Sequence, residues 1–326
     1  MVRVSREDFS VAAATNESAY RRVTVPMLRI DAGPGPAVAL IAGVHGDEWE
    51  GQAAILDLWH HLPAILQRGT VYLLPAVNAE ASLAGTRLSP ADGGNLNRAF
   101  LGGPARGYTE SVAAALEARL LPRVQAMVDV HSGGASLRYL PSSVITRYGE
   151  DAYDERLPAL ARAFGMPHCV FFRGTEAGSL PAAASRHGVL RLSAEIGGGR
   201  ETSSSLADRC RDGLLGCLGE LGLLSDLPLP RHPKIRLHDL DAPAATLRAR
   251  EAGVFVPSVE LGQSVTAGQR IGRLIEPVRP DMPLRNLLSP QAGTVVCLRA
   301  IARSDDGDCL LQVAPALPLD SLASKY

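Results

Sequence analysis

The stretch AVALIAGVHGDEWEG, residues 37–51, decides how this chain is read. Its first half, AVALIA (37–42), is an unbroken apolar run of strand length, the pattern of a strand buried on both faces. Directly after it, Gly43 to Gln52 carry a histidine and three acids among glycines. A helix is expected from about Glu48, because Ala54, Ile55, Leu58 and Leu62 recur at helical spacing, and it is expected to stop near Pro63. Strand, charged turn, helix is the unit of an α/β sheet, and ligands of such sheets gather at the carboxyl ends of the strands.

The same unit recurs outward from it. RRVTVPMLRI (21–30) and TVYLLPAVN (70–78) read as strands. AGTRLSPADGGNLNRAFLGG (84–103) is a long glycine-rich loop, of the kind that carries function. Thr109 is expected to cap the helix ESVAAALEARLL. AMVDVHS (126–132) is a strand ending in a histidine, and a helix around 154–164 precedes the strand HCVFF (168–172). VLRLSAEIGGG (189–199) is a strand ending in an acid and glycines, followed by a helix over 204–224. After the proline-rich linker SDLPLPRHP (225–233) only short β-type runs remain. The expected architecture is α/β, a mixed, largely parallel sheet flanked by helices over residues 1–228, with a C-terminal all-β domain over 229–326.

Bulk properties exclude several classes. A chain of 326 residues, 46% apolar and 21% charged, suits about two globular domains. A net charge of −1 without a basic stripe gives no nucleic-acid partner. Of the 33 basic residues 31 are Arg, leaving only Lys234 and Lys325 for Schiff-base or swinging-arm chemistry. Five scattered cysteines with no CxxC argue against a disulfide framework or a thiolate zinc site. The N-terminus MVRVSREDFS has no apolar signal core, and no stretch approaches the ~20 apolar residues of a membrane span, so a cytoplasmic protein without a membrane partner is expected.

His45 and Glu48 form an H-x-x-E pair about one helical turn apart, so their side chains can converge. His131 closes another strand, with Asp129 on the same strand face to orient it. Two histidines and a glutamate are a ligand set of catalytic zinc. Glu195, half-buried at a strand end, would have a raised pKa that suits a general base. Asn97-Arg98 in the long loop offers a guanidinium fork for a carboxylate. Asp47 and Glu50 either solvate the helix start or meet a second ammonium on the substrate.

GVHGDEWEG, NLNRAF, DVHSGG and SAEIGGG, in that order, resemble the succinylglutamate desuccinylase/aspartoacylase family, a branch of the carboxypeptidase A-type zinc hydrolases. GTRLSPADGGNLNR and LLPRVQAMVDVHSGG resemble more narrowly the Nα-acetyl-L-2,4-diaminobutyrate deacetylases. The resemblance implies one zinc ion per chain on His45, Glu48 and His131, with Glu195 as general base and then acid. It implies that Asn97 and Arg98 hold the substrate carboxylate and that Arg87 polarises the scissile carbonyl. Tyr139 and Arg186 are the further candidates for substrate recognition. The C-terminal stretch GVFVPSVELGQSVTAGQRIGRLIEP resembles a biotinyl/lipoyl-type barrel-sandwich, but its hairpin 276–286 has no Lys, which implies a cap or an oligomer surface without a cofactor.

The leading expectation is a zinc amidohydrolase acting on a small N-acyl amino acid, in a chain that self-associates. A metallocarboxypeptidase acting on peptides and a non-catalytic binding protein are the competing readings.

Overall fold

The computed structural model describes residues 1–14, 16–147, 156–174, 176–225 and 234–318. In chain order the elements used below begin with β1 (Leu28–Asp31), β2 (Ala37–Ala42), α1 (Trp49–Ile65), β3 (Thr70–Leu74), α2 (Tyr108–Arg119), β4 (Ala126–His131) and β5 (Leu137–Arg147). They continue with β6 (His168–Arg173), α3 (Leu180–Arg186), β7 (Leu190–Gly198), α4 (Ser204–Glu220), β8 (Arg236–Asp239), β9 (Gly293–Arg299) and β10 (Cys309–Ala314).

The main sheet runs β1-β3-β2-β4-β7-β5-β9-β10. Its centre is parallel, from β3 through β2 and β4 to β7. β1 and β5 join antiparallel on either side. This is the mixed, largely parallel sheet expected from the alternation of strands and helices. β2 lies in the middle because both of its faces are apolar. Val38, Leu40 and Ala42 pack toward α1 and α4, and Ala39 and Ile41 toward α2 and the N-terminal hairpin.

β5 is the hinge of the whole sheet. Its second half pairs in parallel with β6, and its first half pairs antiparallel with β9, Tyr139 opposite Cys297. The C-terminal strands therefore continue the main sheet, while a four-stranded antiparallel sheet (Gly253–Pro257, Arg270–Ile275, Arg285–Leu288, Arg303–Ser304) closes over a third core around Phe255 and Ile271.

Several local expectations shift. α1 continues through Pro63 to Ile65, because a proline in the last turn forfeits only its own N–H bond. Gly107, not Thr109, is the N-cap of α2. Thr109 instead gives its N–H and hydroxyl to Asp92 at 2.9 and 2.5 Å, tying down the glycine-rich loop. β5, interrupted by Pro141 and two serines, has no clean strand pattern and is found only in the structure. The helix expected over 154–164 forms from Leu157 to Ala163, while 154 and 155 lie outside the described residues. Positions 226–233 of the proline-rich linker, with the expected boundary after 228, also lie outside them.

Candidate active site

The turn between β2 and α1 is buried despite its charge. His45, Asp47, Glu48 and Glu50 are each no more than 5% exposed. Two of these acids serve backbone. Asp47 accepts the Ala135 N–H at 2.8 Å, and Glu50 accepts the Gly198 N–H at 3.1 Å. They staple the glycine turns after β4 and within β7 to the start of α1. Gly198 has φ +113°, and a Cβ there would lie 2.4 Å from the Leu137 carbonyl oxygen, so only glycine fits. The charged turn helps to fold the site, and neither Asp47 nor Glu50 is among the residues that line the cavity described below.

Glu48, the N-cap residue of α1, points the other way. Its Oε1 lies 2.7 Å from His45 Nδ1 and its Oε2 lies 2.8 Å from His131 Nδ1. Donor atoms of the three residues all fall within 4.8 Å of one another, and among the described residues this is the one such cluster of three or more. The far ring nitrogens are fixed by acceptors. His131 Nε2 meets Asp129 Oδ2 at 3.0 Å. His45 Nε2 meets Asn95 Oδ1 at 3.2 Å, and the Asn97 N–H donating to the same oxygen sets the amide's orientation.

In a neutral ring those partners would set the proton on Nε2 and turn the Nδ1 lone pair toward a carboxylate oxygen, whereas in protonated His131 the Nδ1 donates to Glu48. Lone pairs at 2.7–2.8 Å repel unless a proton or a cation lies between them. Arg87 answers part of that demand, its NH1 3.2 Å from Glu48 Oε1 and 3.3 Å from His45 Nδ1. The donor set thus fits a small divalent cation, with Asp129 and Asn95 orienting the ligands from behind.

Burial opposes ionisation of Asp129, but the neighbouring charges of His131 and Arg191 outweigh it and bring the carboxyl down to about 2. Glu48 is likewise held ionised against burial by His45 and His131. Burial lowers His131, but Asp129 and Glu48 outweigh it and raise the ring well above its ordinary value. Glu195 is different. Burial dominates, His131 only partly offsets it, and the carboxyl is pushed up to about 8.

Glu195 sits on β7 directly beside His131 in the parallel ladder. His45, Glu48, Arg87, Asn97, Arg98, His131 and Glu195 all line one cavity of about 310 Å³. The loop side of that cavity is looser than the sheet side. The Arg87 and Arg98 side chains are each 48% exposed. Arg98 pairs with Glu176 at 3.2 Å and gives NH1 to the Asn97 carbonyl. Asn97 Oδ1 accepts the Leu180 N–H at the start of α3, which docks the loop on that helix. Tyr139 lines the cavity as well. Arg186 does not, being spent on the Phe100 carbonyl and Glu117. Asn95 and Arg191 are the site residues that sequence reasoning missed.

Three comparisons bear on this arrangement. The profile described as the succinylglutamate desuccinylase/aspartoacylase catalytic domain matches residues 34–221. The chain belongs to this family. It is 33% identical over 304 residues, 92% of its length and 88% of the relative's, to the N-alpha-acetyl-L-2,4-diaminobutyric acid deacetylase of Halomonas elongata. Among solved structures it resembles the product-bound ectoine utilization protein EutE (DoeB) from Ruegeria pomeroyi, with a TM-score of 0.90, 28% identity, and 96% and 95% of the two chains covered. It also resembles a succinylglutamate desuccinylase/aspartoacylase from Rhodobacter sphaeroides, with a TM-score of 0.89, 30% identity, and 97% and 95% covered. Family membership makes the chain an amide hydrolase by class. Among the described residues no helix is long and apolar enough to cross a membrane.

Proposed function

We propose that this chain is a zinc-dependent amidohydrolase that removes an acetyl group from a small N-acyl amino acid, with Nα-acetyl-L-2,4-diaminobutyrate as the first substrate to test. The observation that carries the reading is geometric: Glu195 stands beside His131 in the β-ladder and lines the same cavity as the histidine–glutamate–histidine cluster. His45, Glu48 and His131 would hold one zinc ion per chain, which would supply Lewis acidity toward water and the amide carbonyl.

The protein's own residues do the rest. Glu195 accepts the proton of the attacking water as the new C–O bond forms, then delivers it to the leaving nitrogen as the C–N bond breaks. Its raised pKa suits both halves of that transfer near neutral pH. Arg87, beside Glu48, donates to the oxygen on which negative charge develops. Arg98 leaves Glu176 for the substrate carboxylate, and Asn97, its carbonyl oxygen fixed by Leu180, donates from its amide nitrogen.

A cavity of about 310 Å³ suits a small acyl amino acid better than a peptide. Residues 1–228 carry the chemistry in this reading. Residues 229–326 brace it from β9 through Tyr139, without a cofactor of their own, and offer a surface for self-association. The setting is the cytoplasm.

The test is a panel of N-acetyl amino acids and peptides assayed for acid and amine release by the zinc-loaded protein. Equimolar acetate and amino acid, with peptides untouched, is the expected result. Release of C-terminal residues from peptides, with acetyl amino acids untouched, would overturn it.

A further inference from the structure

Arg191 is held unlike the other arginines of the cavity. It lies on β7 four residues before Glu195, so both side chains leave the same face of the strand. Its side chain is 7% exposed. NH2 donates to Asp129 Oδ2 at 2.7 Å and to Ser193 Oγ at 3.0 Å. Ser193 Oγ in turn donates to the Asp129 carbonyl at 2.8 Å, so the guanidinium is fixed from two sides. Nε is buried and has no hydrogen-bond partner among the described residues.

Asp129 does not neutralise this guanidinium alone, because the same Oδ2 also holds His131 Nε2. One carboxylate oxygen is shared between two donors, and the other donors of Arg191 meet no acceptor among the described residues. Arg191 also lines the catalytic cavity, next to Thr146, Phe172 and Pro181. Arg87 and Arg98 are half-exposed and rest on acids, so each must reorganise when a ligand arrives. Arg191 is already in place, with NH2 spent on Asp129 and Ser193 and its NH1 end left to meet a ligand, and a preorganised donor binds an anion at lower entropic cost.

We propose that Arg191 is the inner anchor of the substrate's carboxylate and sets the requirement for an N-acyl amino acid as opposed to a neutral amide of the same amine. Arg98 then closes over the outer edge of a carboxylate that Arg191 already holds. The inference rests on the acyl amino acid reading of this cavity. It goes beyond that reading in naming the residue that selects for the anion.

The test uses zinc-loaded full-length protein, with Nα-acetyl-L-2,4-diaminobutyrate and its carboxamide as matched probes. Hydrolysis and calorimetric binding of both are measured for wild type, Arg191→Met and Arg191→Lys. An Arg191→Gln variant guards against misfolding by keeping a donor for Asp129 without the charge. The expected result is that KM and Kd for the carboxylate probe rise roughly 10- to 100-fold in Arg191→Met, while values for the carboxamide barely move. Arg191→Lys recovers only part of the loss, because an ammonium lacks the rigid planar donor set.

A folded, zinc-loaded Arg191→Met that keeps the wild-type preference for carboxylate overturns the inference and leaves the hydrolase reading standing. An equal fall in kcat for both probes, with zinc lost, makes Arg191 a prop for Asp129 and also overturns it. If wild type binds the carboxylate through Arg191 but hydrolyses neither probe, the inference stands and the hydrolase reading fails. If wild type binds neither probe, both fail.

Discussion

The two sides of the cavity are built on opposite terms. On the sheet side, His45, Glu48, Asp129 and His131 are each no more than 6% exposed, and each ligand histidine has a second partner behind it. On the loop side, Arg87 and Arg98 are 48% exposed and rest on acids of the chain itself. The difference separates two tasks. A metal site needs donors fixed before the ion arrives, because ligand geometry is demanding. A substrate site must open, bind and release, and in the proposed reading its arginines keep solvent and exchange one carboxylate for another. Arg191 crosses this division, being a loop-side type of residue held with sheet-side rigidity.

Substitution of His131 by Ala should break the comparison most completely. It removes a donor and leaves Glu48 and Asp129 buried without a shared partner, so bound zinc and hydrolysis should both fall to background. Metal content and initial rates on one preparation check this. Glu195→Gln should separate chemistry from metal binding, lowering kcat by roughly 10²- to 10⁴-fold with zinc content unchanged. Asp129→Asn should weaken zinc by about 10- to 100-fold, read by competition with a chelator, because it loosens His131 without removing it. Arg98→Met should act only on the loop side, raising KM about 10-fold with kcat, zinc content and melting temperature nearly unchanged.

The buried side also predicts a pH dependence for the metal-free protein. His131 and Glu195 both have raised folded pKa values. Each favours the folded state while protonated, so their stabilisation is complete at mildly acidic pH. For Glu195 it is lost from the ordinary carboxylate range up to about 8, and for His131 it is lost as pH passes its raised value. Glu48 and Asp129 are depressed and act in the other direction, losing their contribution only in strong acid. Metal-free protein should therefore melt at lower temperature at pH 9 than at pH 6, and zinc should restore most of the difference with release of protons. Thermal melts with and without zinc across that range check it. A flat metal-free profile would contradict the coupling of Glu195 and His131 to the buried cluster.

The histidine–glutamate–histidine cluster and Glu195 were legible as candidates because rare residue types fall at or just past strand ends, where AVALIA, AMVDVH and VLRLSAE give way to charge. The central parallel sheet was legible for the same reason, as its strands are apolar on both faces. Residues that act through another residue were harder to see. Asn95 reads as an ordinary loop asparagine, and only the fold reveals that it serves both His45 and the Asn97 N–H. Arg191 alternates with leucines in VLRLSAE and so passes for the solvent face of a strand. Its partner Asp129 lies 62 positions away. The backbone bonds of Asp47 and Glu50 to two distant glycine turns were equally hidden, since nothing local shows them. β5 was hidden because its pairing with β6, β7 and β9, not its own composition, makes it a strand.

In the proposed reading the buried cluster alone holds the metal, and the loop arginines contribute nothing to its affinity. The most direct test is a zinc titration of chelator-treated protein, followed by calorimetry, for wild type, His131→Ala and Arg98→Met. One tight site per chain in wild type and Arg98→Met, with none in His131→Ala, is the predicted result. Zinc that binds His131→Ala as tightly as wild type, or fails to bind wild type, would contradict it.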